Sequence, residues 1–210
     1  GSSTLVELEK ELDPLALDAV ILTHYHHDHI ADLGVLQYYW QLFPTQTPKP
    51  ILPIYGHTED EFHFNELTME GVTEGRPYFE AEELKIGPFL VTFMKTIHPV
   101  PCYAMRFVEE KTGAVFVFTG DSGYLESFNE FAKEADLFLA DTYLFDGNEH
   151  HKAHFTAGEA GTFAKNAGVK KLVLTHLPQQ GDLAELRQQA IAKSNGIPVE
   201  LAQPHKIFEL

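Results

Sequence analysis

The segment Thr23–Ile30, THYHHDHI, carries four histidines and one aspartate in eight residues. It follows the apolar run 19–22, AVIL, which predicts a short buried strand ending at Thr23. Histidine at this density adds little to a hydrophobic core, and a solvated loop does not require it. The segment therefore predicts a metal site at the end of a strand.

The spacing within this segment determines which ligands can share an ion. In extended backbone, the side chains of residues i and i+2 project to the same side, so His24 and His26 can reach one ion. Asp28 and His29, where the chain turns into a helix, can serve a neighbouring ion. One ion needs about three or four protein ligands, so the segment cannot complete two sites by itself.

Three further candidate ligands each follow a predicted strand. They are His98 after FMKTI, Asp121 after VFVFTG and His176 after LVLT. Strand ends along one rim of a sheet deliver their side chains into one cleft. Imidazole and carboxylate donors without a thiolate favour Zn²⁺ or Mn²⁺, with Fe, Co or Ni as alternatives.

The ordered set of these residues resembles the metallo-β-lactamase superfamily. Its His-x-His-x-Asp-His motif and its later His, Asp and His are matched by His24, His26, Asp28, His29, His98, Asp121 and His176. The resemblance implies two divalent ions, the first bound by His24, His26 and His98. The second is bound by Asp28, His29 and His176, and Asp121 bridges the two.

The resemblance also implies the fold. It is an α+β fold, a four-layer αβ/βα sandwich, here a single hydrolase domain over residues 1–210. Family members have two or three strands before their first helix, whereas this sequence opens at GSSTLVEL. We therefore expect N-terminal strands to be missing.

Residues 150–178, HHKAHFTAGEAGTFAKNAGVKKLVLTHLP, are similar to the ribonuclease Z and phosphodiesterase branch of this superfamily. There a histidine before a helix-capping threonine protonates the leaving alkoxide, and His154 occupies that position. A carboxylate orients this histidine, and Asp141 takes its place, where Glu is commoner. The resemblance thus makes Asp28, His154 and Asp141 the catalytic residues.

These features favour a binuclear phosphodiesterase in which a hydroxide held by the ions attacks a small or nucleotide-derived phosphodiester. Ribonuclease Z grips tRNA with a Gly/Lys-rich arm, but the interval between His98 and Asp121 predicts only a hairpin. The net charge of −16 also opposes an extended nucleic-acid surface, so tRNA 3′-processing is disfavoured.

Three other functions stay open. Thioester, lactone or β-lactam hydrolases of this fold usually have a Pro-Gly-His-Thr-like turn where this chain has TIHPVPCY. A redox enzyme of the di-iron or persulfide dioxygenase type and a metal-stabilised binding module are the others. His57, His63 and His205 lack metal spacing and are assigned no role, whereas His150 and His151, beside His154, are expected to be solvated, with lining of the cleft as the alternative.

Composition bears on the cellular compartment and on membrane association. The single cysteine, Cys102, cannot form an internal disulfide and is expected to be buried packing, so we expect a cytoplasmic protein. No apolar run predicts a membrane span or membrane partner, and relatives in the branch make a homodimer possible.

Thr4-x-x-Glu7 and Thr156-x-x-Glu159 each predict a helix-capping box, residues 43–50 a surface loop and KIFEL a final strand.

Overall fold

The computed structural model describes residues 3–43, 49–80 and 82–210. Most of the predicted surface loop over 43–50 lies outside these ranges. The chain divides into two compact units, Gly1–Phe79 and Glu80–Leu210. The functional segments identified above fall into both, with Thr23–Ile30 in the first unit and the later strand ends in the second.

The first unit is built on a three-stranded parallel sheet in the order β1-β2-β3. The strands are β1 (Val20–Ile21), β2 (Leu52–Gly56) and β3 (Thr73–Pro77). Its helices are α1 (Thr4–Leu8), α2 (His27–Ile30), α3 (Leu33–Leu42) and α4 (Glu61–Glu66). Trp40, Leu52, Ile54 and Leu67 are buried in its core, because α3 and the chain after α4 place apolar residues against the sheet.

The capping box predicted at Thr4 is wrong. Helix α1 begins at Thr4 itself, with Ser3 as the N-cap residue in a left-handed conformation. The backbone amides of Ser3 and Leu5 donate to the Asp32 carboxylate, at 3.3 and 2.9 Å. A carboxylate distant in sequence therefore takes the place of the local cap.

The second unit contains a seven-stranded sheet in the order β10-β9-β8-β7-β6-β5-β4. The strands are β4 (Glu83–Ile86), β5 (Phe89–Lys95), β6 (Tyr103–Glu109), β7 (Val115–Phe118), β8 (Leu137–Asp141), β9 (Leu172–Thr175) and β10 (Val199–Leu201). Pairing is antiparallel from β4 to β7 and parallel from β7 to β10. Strands β5, β7, β8 and β9 consequently all end at one edge.

Three short helices accompany this sheet: α5 (Phe128–Phe131), α6 (Ala157–Ala167) and α7 (Leu183–Lys193). The capping box at Thr156 is confirmed, since the hydroxyl of Thr156 accepts from the Glu159 amide and the Glu159 carboxylate accepts from the Thr156 amide. Phe128, Phe138, Phe155 and Phe163 fill the core of this unit.

The final strand predicted from KIFEL is wrong, because residues 206–210 have no regular secondary structure. Lys206 instead pairs with Glu200, and the ammonium groups of Lys171 and Lys206 lie 5.3 and 5.5 Å from the centre of the Phe208 ring. Cation–aromatic contacts thus hold this apolar segment without strand pairing.

Helices α6 and α7 pack closely at Gly161. A Cβ atom added there would lie 2.3 Å from the backbone oxygen of Ala190. Gly161→Ala is therefore expected to lower the free energy of unfolding by about 1–2 kcal/mol, because overpacking strain exceeds the helix-propensity gain. Urea unfolding of both forms measures this.

The matched control is Gly34→Ala in α3, where an added Cβ would have no atom within 4 Å. That substitution is expected to leave stability unchanged or to raise it by up to about 1 kcal/mol. A Gly161→Ala protein as stable as Gly34→Ala would show that the two helices separate without cost.

Candidate metal centre

The histidine-rich segment of the first unit forms the turn from β1 into α2. His26 is the N-cap residue of α2 and has extended backbone, with φ −60° and ψ 144°. As predicted from the i, i+2 spacing, the His24 and His26 rings lie on one side, with Nε2 of His24 3.1 Å from Nδ1 of His26. His24 is fully buried, which is an unusual position for an imidazole that carries no function.

Asp28 and His29 join this group from the first turn of α2. A carboxylate oxygen of Asp28 is 3.3 Å from Nε2 of His29, and the His29 and His24 ring centroids are 4.1 Å apart. The first unit thus brings its four predicted ligands together: His24, His26, Asp28 and His29.

Two tyrosine hydroxyls connect this turn to neighbouring backbone by hydrogen bonds. The Tyr25 hydroxyl donates to the carbonyl of His57 at 2.7 Å, and the Tyr78 hydroxyl donates to the carbonyl of Leu22 at 2.7 Å. Burial, and then the nearby Asp60 carboxylate, raise the pKa of Tyr25, so its hydroxyl keeps its proton. Gly56 leaves room for this contact, since a Cβ there would lie 2.2 Å from the Tyr25 oxygen.

In the second unit the predicted ligands lie beyond the strands that end at one edge of the sheet. His98 follows β5, Asp121 follows β7 and His176 directly follows β9. A carboxylate oxygen of Asp121 lies 3.4 Å from Nε2 of His176 and 3.9 Å from Nε2 of His98. Asp121 is buried, so its charge faces these two imidazoles.

These separations fit a metal better than they fit hydrogen bonds. An N–H···O hydrogen bond spans about 2.7–3.2 Å, which both distances exceed. Two donors bound to one tetrahedral ion at about 2.0–2.2 Å lie about 3.3–3.6 Å apart, close to the Asp121–His176 separation. The donor set of this unit therefore fits divalent metal ions.

The outer nitrogens of both histidines face oxygen atoms, and the one in His98 is within hydrogen-bond distance. Nδ1 of His98 lies 3.1 Å from the carbonyl oxygen of Ala153, and Nδ1 of His176 lies 3.4 Å from a carboxylate oxygen of Asp141. Because the Ala153 carbonyl requires the proton on Nδ1 of His98, Nε2 of His98 is left as the bare donor atom on the side of Asp121. Metal-binding histidines usually have this arrangement.

His154 and Asp141 form a second pair beside these ligands. Nδ1 of His154 donates to a carboxylate oxygen of Asp141 over 2.9 Å, so the short Asp side chain does reach the imidazole. The backbone amide of Ser122 donates to the same oxygen at 3.1 Å, and Asp141 is fully buried. One donor atom each from Asp121, His154 and His176 lies within 4.8 Å of the others.

Sequence reasoning did not assign two contributors to this region. The Ser122 amide carries no signal in its side chain, so only the backbone path reveals it. Tyr143, whose ring lies 5.1 Å from the His154 ring, could have been noticed as an aromatic residue two positions after a strand-end acid. Cys102 is buried as predicted, and burial raises the pKa of its thiol to about 12.

Comparison with known proteins identifies the family. Residues 4–177 match the model of the beta-lactamase superfamily domain, and the chain belongs to this family. It is 42% identical over 211 residues to the probable metallo-hydrolase YhfI of Bacillus subtilis (strain 168), covering 100% of this chain and 85% of YhfI. The crystal structure of YhfI superposes with a TM-score of 0.92 at 40% identity, with the same coverage of 100% and 85%.

Two more distant proteins are similar over most of the chain. Ribonuclease Z of Thermococcus gammatolerans is 26% identical over 234 residues, covering 84% of this chain and 72% of that protein. A diphosphatase from the PhnP family has a TM-score of 0.69 at 22% identity, covering 92% of this chain and 72% of that chain.

These findings confirm the predicted metallo-β-lactamase fold and its α+β class. The chain is a metallo-hydrolase of that fold, which implies that it uses divalent metal ions. Within the described ranges, no helix is both long and apolar enough to cross a membrane.

Proposed function

We propose that this chain is a binuclear metal-dependent phosphodiesterase that acts on a small or nucleotide-derived phosphodiester. The proposed ligands of the first ion are His24, His26 and His98. The second ion is assigned to Asp28, His29 and His176, with Asp121 shared between the two. Counting Asp121 at both ions gives four protein donors for each, which matches the number that one ion requires.

The donors in each unit support a pair of ions. Four ligands come from residues 24–29, the turn before α2 and its first residues, and three come from the edge of the seven-stranded sheet. Neither set suffices for two ions, whereas together they do. Imidazole and carboxylate donors favour Zn²⁺ or Mn²⁺ at both positions. When bound, such a pair activates a water molecule and neutralises charge on the group under attack.

The hydrogen bond between Asp141 and His154 is the observation that carries the reaction type. Asp141 holds the proton on Nδ1 of His154, which leaves Nε2 as the atom that can exchange a proton with a substrate. An alkyl phosphodiester releases an alkoxide, a poor leaving group unless it is protonated as it departs. The pair supplies this proton a few ångströms from Asp121 and His176.

A small substrate is favoured over a folded RNA, although a relative is named ribonuclease Z. Between His98 and Asp121 the chain forms only the hairpin of β6 and β7, closed by a turn around Gly113. The net charge of −16 leaves few cations for an RNA backbone. We also propose a reducing cytoplasmic location, because the lone Cys102 is a buried free thiol.

A metal and substrate panel tests the proposal. The chelator-treated protein, reloaded with Zn²⁺ or Mn²⁺, is expected to hydrolyse bis(p-nitrophenyl) phosphate at least tenfold faster than a thioester or a lactone, in kcat/KM. About two equivalents of metal should bind per chain. Faster hydrolysis of the thioester or lactone would favour the carbonyl-ester alternative and overturn the phosphodiesterase assignment.

A further inference from the structure

Tyr143 is an exposed aromatic residue beside the candidate proton donor. It follows the end of β8 by two residues, and 40% of its surface is exposed. Its ring centroid lies 5.1 Å from that of His154 and 5.6 Å from that of His176. Within the part of the chain that the structure describes, its hydroxyl makes no hydrogen bond. Neither core packing nor a structural hydrogen bond accounts for its position.

The Tyr143 ring packs against the imidazoles of His154 and His176. The His154 and His176 rings stack at 5.0 Å with an interplanar angle of 17°, and the Tyr143 ring is tilted against them by 49° and 53°. The tyrosine therefore lies against an imidazole that Asp141 holds by a hydrogen bond, while the residue as a whole stays exposed.

Tyr143 lies within reach of a leaving group that His154 would protonate. A general acid must come within about 2.6–3.2 Å of the departing oxygen. Substituents carried on that oxygen then extend a few ångströms beyond the imidazole, which is the distance at which Tyr143 lies. Aromatic rings attract one another at centroid separations of about 4.5–7 Å.

We propose that Tyr143 is a specificity-determining residue that stacks on a planar aromatic ring carried by the leaving alcohol. This inference rests on the proposed phosphodiesterase function and narrows its substrate class. The tyrosine ring provides the contact, and its hydroxyl is dispensable. An aromatic leaving alcohol is therefore favoured over a saturated one of equal size.

The test compares dibenzyl phosphate with bis(cyclohexylmethyl) phosphate. Both diesters are symmetric, so the leaving alcohol is unambiguous, and both alcohols have similar basicity. The metal-loaded wild-type protein is expected to favour the benzyl ester by about twofold to tenfold in kcat/KM. Tyr143→Phe should keep this ratio, and Tyr143→Leu should bring it close to one.

Tyr38→Leu is the matched control, because Tyr38 is another exposed tyrosine, on α3. It should leave the ratio at the wild-type value. A ratio that Tyr143→Leu leaves unchanged, or that Tyr143→Phe abolishes, would overturn the stacking role.

A binding measurement separates this inference from the proposed function. Calorimetry with metal-loaded protein compares benzylphosphonate with cyclohexylmethylphosphonate, neither of which needs to be hydrolysed. Tighter binding of the benzyl compound, lost in Tyr143→Leu, supports the stacking role. Equal affinities would overturn it. If bis(p-nitrophenyl) phosphate is not hydrolysed either, the phosphodiesterase proposal fails, while the relative affinity for the two phosphonates still decides the role of Tyr143.

Discussion

Asp121→Asn is expected to lower kcat/KM for bis(p-nitrophenyl) phosphate by on the order of a thousandfold. The substitution preserves shape but removes the negative charge from a buried carboxylate that faces both His98 and His176. An amide is a weak ligand for hard divalent cations and cannot bridge two of them effectively. Losing several kcal/mol of metal-based stabilisation corresponds to a rate change of this size.

The amount of bound metal gives a second measure of the effect of Asp121→Asn. The variant should bind fewer than two equivalents, and the rise in Tm produced by added Zn²⁺ should shrink relative to wild type. Asp18→Asn makes the same chemical change at an exposed position and should alter neither activity nor metal content. A variant of Asp121 that keeps two ions and most of its activity would remove the bridging assignment.

The residues that form the candidate centre could be read from the sequence because their chemistry is unusual. His24 and His26 carry a spacing that extended backbone turns into a shared direction, and the structure has this geometry. His98, Asp121 and His176 were predicted from their position after strands. Two antiparallel pairings, β5 with β6 and β6 with β7, and two parallel ones, β7 with β8 and β8 with β9, place those strand ends at one edge. Local pattern was therefore sufficient for this part of the site.

Features that depend on distant backbone could not be read in this way. The Ser122 amide reaches Asp141 only because β7 and β8 are neighbours, and Asp32 caps α1 across 27 residues of sequence. Strand β3, with sequence TEGRP, contains glycine, proline and charges, so its composition gives no strand signal. It forms because it pairs with β2, which is tertiary context overriding propensity.

The same distinction applies to Asp141. Sequence comparison gave its position, but whether its short side chain reaches His154 depended on the separation between β8 and the segment before α6. In the structure a carboxylate oxygen of Asp141 lies 2.9 Å from Nδ1 of His154. A bridge between Leu144 and Thr156 holds the two segments together, with the Leu144 amide donating to the carbonyl of Phe155.

His154→Ala is expected to separate substrates by the basicity of their leaving groups. For a dialkyl phosphodiester such as dibenzyl phosphate, kcat should fall by about 10²–10⁴-fold, because the alkoxide loses its proton donor. For bis(p-nitrophenyl) phosphate the loss should stay below about tenfold, since nitrophenolate departs without a proton. Parallel kcat measurements on metal-loaded protein give the two ratios directly.

Asp141→Asn should follow the same pattern more weakly. The amide cannot hold the proton on Nδ1 of His154 as reliably as the carboxylate does, so a larger fraction of rings adopts the wrong tautomer. His150→Ala is the control, because this exposed imidazole lies in the same loop, four residues before His154. His150→Ala should leave kcat unchanged on both the alkyl and the nitrophenyl ester. Equal losses on the alkyl and nitrophenyl esters in His154→Ala would mean that this imidazole supports the site without donating a proton.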